Sequence, residues 1–117
     1  MEVQKRRRQR HDVLHAKDEA DKMVKVQKDL EDLIPNFLNN RNQDVELATE
    51  LVLKSDFSAL KTLAHAMKGT CMSFGFHDAA EIVANIEAAA KNENGATISG
   101  DLSRLKNLFE SIEVEFI

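Results

Sequence analysis

One histidine in this chain stands among cations. His65 has Lys61 four residues before it and Lys68 three after it, separations that make side chains neighbours on one helix surface. Gly69, four residues after the ring, removes a side chain beside it, in a helix interior where Gly costs about 1 kcal/mol relative to Ala. Imidazole is a small ring that is mostly neutral near physiological pH, and ammonium groups are compact positive charges suited to an anion. A ring framed in this way, next to bare backbone, suits an anionic group carried on nitrogen and a partner that approaches closely.

The surrounding stretch fixes where that ring points. Asp56 precedes an apolar-periodic run and is placed to cap a helix. Leu60, Leu63, Ala64, Met67, Cys71 and Phe74 follow at spacings of three and four, the mark of a buried face. At about 100° per residue, they lie within roughly 40° of one direction, with His65 about 140° and Gly69 about 180° away from it. His65 is therefore expected to face solvent. Met72 falls about 20° round the helix from His65 and is expected as an apolar contact for a partner, a role that suits flexible methionine.

Other candidate residues are weaker. His11 and His15 are four apart and resemble half of an H-E-x-x-H pattern, but Asp12 stands where the Glu is required and no third ligand is near. No metal site is expected. His77 lacks a neighbouring Lys-Gly pair and reads as a surface residue at a helix start. Phe37, Phe57, Phe74, Phe76 and Phe109 read as core or core rim. There is no Gly-rich nucleotide loop, no Asp cluster for Mg²⁺ and no nucleophile-base set, so the chain is not expected to be an enzyme or to hold a cofactor.

Four amphipathic segments supply the elements. Ile34, Phe37, Leu38, Val45, Ala48 and Val52 keep the helical rhythm from near Asp32 to near Ser55, with Pro35 acceptable close to the helix start. The His65 helix follows after a short break. Gly75 then ends it or permits close packing. Ala79, Ala80, Ile82, Val83, Ile86 and Ala90 form a stripe of mostly small residues from His77 to about Asn92. Asn92 to Gly95 reads as a turn, and Thr97 or Ser99 as the cap of a last helix carrying Leu102, Leu105, Leu108, Phe109 and Ile112. Asp18 to Asp32 is a lead-in segment or short helix. No run shows convincing strand alternation. The expectation is an all-α, antiparallel up-down four-helix bundle over 21–117, with a flexible basic N-terminal tail at 1–20.

Composition sets the outer bounds. The chain has 117 residues, 43% hydrophobic and 31% charged, enough for one core. Its first ten residues carry five basic groups and one acid, which leaves the other 107 with a net charge of −8. That acidic body argues against duplex nucleic acid as a partner. The tail is expected to be solvated; an acidic partner, RNA or an anionic membrane are the alternatives. No apolar run approaches the roughly 18 residues of a membrane span. No apolar stretch follows the basic tail as a secretory signal requires, and the lone Cys71 fits a reducing cytoplasm.

His65-Ala66-Met67-Lys68-Gly69, five residues and then Gly75 read H-x-x-K-G-x5-G. This pattern, with amphipathic helices on both flanks, resembles the histidine phosphotransfer (HPt) domain family of two-component phosphorelays from about Leu30 to the C-terminus. The resemblance implies a monomeric phosphoryl carrier in which the His65 nitrogen farther from the backbone is phosphorylated and Lys68 lies beside the phosphoryl group. It also implies response-regulator receiver domains and a hybrid histidine kinase as partners, with Mg²⁺ held by the receiver. Lys61 as a second phosphate-stabilising cation rests on spacing alone. Thr70 to Phe74 is bulkier than the small-residue run often found in the family. The alternative is a helical adaptor that binds a receiver or kinase domain without being phosphorylated.

Overall fold

The structure is a computed structural model that describes residues 23–117; the expected basic tail at 1–20 and the His11/His15 pair lie outside the described residues. Four helices follow one another: α1 (Ile34–Leu53), α2 (Phe57–Ser73), α3 (His77–Lys91) and α4 (Gly95–Ser111). α1 carries Pro35 in its first turn, where a missing N–H is harmless. The expected all-α four-helix bundle is the architecture observed.

The three junctions are built alike. In each, the residue after the C-cap adopts a left-handed conformation: Ser55 at φ 57°, Gly75 at φ 86° and Glu93 at φ 54°. The next amide then bonds back across the turn: Asp56 N to Leu51 O at 2.9 Å, Phe76 N to Cys71 O at 2.8 Å and Asn94 N to Ala89 O at 3.0 Å. This is the Schellman stop, which satisfies carbonyls that a helix end otherwise leaves open. At the first and last junctions the same third residue also caps the following helix with its side chain; Phe76 makes no such bond. The Asp56 side chain accepts from Ala59 N at 3.2 Å, and the Asn94 side chain accepts from Thr97 N at 3.1 Å. The last helix thus starts at Gly95 with Asn94 as its cap, not at Thr97 or Ser99. Glu93, not the glycine, takes the left-handed position. A three-residue link leaves each helix no choice but to run back along its predecessor.

Two short strands add to the bundle, and the sequence reading missed both. β1 (Met23–Val26) pairs in parallel with β2 (Glu113–Phe116), Met23 opposite Glu113 and Val26 opposite Phe116. Val24 and Val26 are buried while Lys25 between them is exposed, the two-residue alternation of a half-buried strand. A 3₁₀ turn at Lys28–Leu33 leads into α1. From Met23 onward the lead-in segment is therefore a strand and a turn.

The core runs between all four helices. Ile34, Leu60, Val83, Ile98 and Leu105 are fully buried. Phe37 packs its ring 4.6 Å from both Phe74 and Phe76, with the Arg41 guanidinium 5.2 Å from the centre of the Phe37 ring. Of the helix pairs, α2 and α3 meet over the longest seam. The small residues Ala64, Ala79, Ala80 and Ala90 are buried there or nearby, where short side chains let backbones approach closely.

Candidate functional site

Burial of one face of α2 fixes the rotation of the whole helix. Leu60, Ala64, Met67 and Cys71 are buried, and Leu63 and Phe74 are partly so. Burial pushes the Cys71 thiol up to about 11, because ionising it would place a charge in hydrocarbon. The opposite face carries His65, whose side chain is 73% exposed.

α3 supplies the residue that the sequence reading did not find. Glu87 Oε2 lies 3.0 Å from His65 Nδ1, and Glu87 Oε1 accepts from Lys68 Nζ at 2.8 Å. One carboxylate thus joins the two side chains across the α2–α3 seam. Its side chain retains only 15% exposure, against 36% for Lys68. Donation from Lys68 is the main cause holding the Glu87 carboxyl below the ordinary 4.5; partial burial opposes the shift, and the His65 contact adds to it. The signal lay in the hairpin. His65 is ten residues before Gly75 and Glu87 twelve after it, and antiparallel helices joined by a tight link bring such positions level.

The carboxylate fixes the chemistry of the ring. An ionised carboxylate only accepts hydrogen bonds, so Nδ1 carries the proton in the pair with Glu87. A neutral ring with hydrogen on Nδ1 has its lone pair on Nε2. Nε2 is the nitrogen farther from the backbone. Lys68 spends one of its three N–H donors on Glu87 and retains two.

The remaining expected residues fall as follows. Lys61 is exposed and forms no hydrogen bond or ion pair among the described residues; nothing joins it to His65. A Cβ added at Gly69 would meet nothing within 4 Å, so no internal packing requires the glycine. Gly75 sits in the left-handed turn, and a Cβ there would lie 3.4 Å from the Lys25 carbonyl oxygen. The turn reading of Gly75 fits this backbone; the neighbour there is β1 at ordinary contact distance, not a closely packed helix. Met72 is 54% exposed and lines a shallow groove with Lys68 and Gly69. His77 is the exposed first residue of α3. The hydroxyls of Thr62, Thr70 and Ser73 donate to carbonyls four residues back in α2, so these side chains serve the helix.

Among the described residues, no helix is long and apolar enough to cross a membrane. Comparison with curated proteins and with solved structures gave no match. The family model described as the Hpt domain matches residues 28–115, about three quarters of the chain and all four helices. Hpt domains act in two-component signalling as histidine phosphotransfer modules, carriers of a phosphoryl group in general and not catalysts. By that match, and with the four-helix architecture that accompanies it, this chain belongs to the Hpt domain family.

Proposed function

We propose that the chain relays a phosphoryl group between receiver-domain aspartates by carrying it on His65 Nε2. The observation that carries this reading is the Glu87 contact on Nδ1 of an exposed ring; with the proton held there, the lone pair lies on Nε2.

In the loading step, the Nε2 lone pair forms a bond to phosphorus as the bond from phosphorus to the aspartyl oxygen breaks, and the aspartate leaves as a carboxylate. The ring becomes cationic with its proton still on Nδ1, where Glu87 stabilises the new charge. Discharge to a second receiver runs the same exchange in reverse. Such transfer is mostly positioning and charge stabilisation. The two remaining Lys68 donors, with Lys61 as a further cation, face the phosphoryl oxygens. At an exposed surface each charge contributes roughly 0.2–1 kcal/mol, and more once a docked partner excludes water.

Gly69 and Met72 supply bare backbone and an apolar contact to the receiver. The receiver brings the Mg²⁺, since the carboxylate that contacts His65 among the described residues is already committed to Lys68 and the ring. The carrier works as a monomer, without kinase activity of its own, and a hybrid histidine kinase stands upstream. A cytoplasmic location goes with these partners.

The test is incubation of wild type and His65→Gln with a phosphorylated receiver. Acid-labile, base-stable label is expected on wild type alone. Label on the Gln variant would overturn the assignment of His65. Receiver binding by wild type without any label would favour the adaptor reading instead.

A further inference from the structure

The hairpin register that sets Glu87 beside His65 also brings Ala84 level with Lys68 and Ala80 level with Met72. These four residues, with Gly69 and Glu81, line a groove between α2 and α3 that begins at the His65 site. Met72 is 54% exposed along it, and alanine on the α3 side keeps that wall low. Exposed apolar surface of this kind marks a contact site, and no internal packing requires Gly69. Charge along the groove is uneven. Lys68 is paired with Glu87. Asp78 lies in the first turn of α3, where the helix dipole favours an acid, and it shares the adjoining depression with Lys25. Glu81 has neither use. It lies past the first turn, is exposed, and makes no ion pair or side-chain hydrogen bond among the described residues. A carboxylate so placed repels an acidic surface and attracts a basic one.

We propose that Glu81 is a specificity-determining residue for the receiver domain that exchanges a phosphoryl group with His65. The receiver lays an apolar side chain against Met72 and Ala84, and a Lys or Arg beside that side chain meets Glu81. The acids with which the receiver holds Mg²⁺ are thereby kept to the Lys61 side of His65, because over the groove they would face a like charge. The groove is continuous with the site through Lys68 and Gly69, so a domain that reaches Nε2 covers it. Receivers without a cation at that place are rejected at the docking step, before any chemistry. The proposal rests on the reading of His65 as phosphoryl acceptor.

A panel of receiver domains loaded with acetyl phosphate is the probe. Phosphoramidate, which gives its phosphoryl group to Nε2 as ammonia leaves, is the partner-free control. With receivers that label wild type, Glu81→Lys should slow transfer several-fold at low salt. The difference should shrink near 1 M salt, where screening shortens to about 3 Å. Ala84→Leu, which fills the groove without a change of charge, should slow transfer at both salts. In 1 M salt both variants should take label from phosphoramidate at the wild-type rate. Glu46→Lys makes the same charge change on the α1–α4 face and should leave transfer unchanged. Equal slowing by Glu46→Lys, or no slowing by Glu81→Lys, would overturn the proposal. So would unchanged transfer in Glu81→Lys with loss of a concentration-dependent dimer, which would give the groove to a second copy of the chain. Wild type labelled by phosphoramidate but by no receiver would also overturn it, with His65 still the acceptor. No label from phosphoramidate would remove His65 itself, and the proposal with it.

Discussion

Glu87 Oε2 and His65 Nδ1 lie 3.0 Å apart across the α2–α3 seam, although 22 residues separate them in the chain. Removing the carboxylate in Glu87→Ala should leave the fold intact and release the ring into a mixture of tautomers. Nitrogen-15 shifts of the imidazole report that directly. A hydrogen bond contributes roughly 1 kcal/mol net, so phosphotransfer should slow about fivefold. An unchanged tautomer in the variant would show that Glu87 does not set it.

Lys68→Ala separates the two duties of the lysine. With its main donor gone, the Glu87 carboxyl should titrate closer to the ordinary 4.5, as a side-chain ¹³C titration would show. The sign follows from linkage. A carboxyl held low in the folded state contributes stability above its unfolded value, and that contribution is lost as pH falls through the folded value. Wild type should therefore lose stability in acid more steeply than Lys68→Ala.

Gly69 and Gly75 should respond oppositely to alanine. At Gly69 a methyl meets open space, and helix propensity favours Ala by about 1 kcal/mol, so Tm should rise by about 4 °C or more. Transfer from a receiver should nevertheless slow, while phosphoramidate labelling is retained. At Gly75, φ of 86° makes alanine costly by about 1–2 kcal/mol. Thermal melts of the two variants decide both.

The junction residues Ser55 and Glu93 hold left-handed backbone without being glycine. Replacing either with Gly should stabilise the protein by about 1 kcal/mol, measured by urea unfolding. A loss of stability would mean that the side chain contributes something the backbone conformation does not reveal.

Cys71 gives a signature at the alkaline end. Its thiol is raised from 9.0 to about 11, so the unfolded chain ionises first. Stability should fall as pH climbs through that window, and Cys71→Ala should lose this part of the slope. Thiol reagents should modify wild type only at the rate of unfolding.

What could be read from the sequence depended on repetition. The α2 stripe recurs through about four turns, so Leu60 to Phe74 announced both the helix and the outward direction of His65. Glu87 carries no such mark, because its meaning comes from lying opposite His65 in a hairpin, and that requires knowing where the turn is centred. β1 and β2 are four residues each, too short for a periodic signal, and their pairing spans 90 positions. At the last junction the glycine drew attention away from Asn94, whose side chain makes the cap.

The β1–β2 pair also bears on where this domain can be cut. The family match begins at residue 28, two positions past the end of β1. A fragment trimmed to those limits would forfeit Val24 and Val26 from beneath the helices and leave β2 with a bare hydrogen-bonding edge, an invitation to self-association. Expression boundaries drawn from the helices alone would therefore yield a sticky, weakened protein, whereas starting upstream of Met23 preserves the clasp.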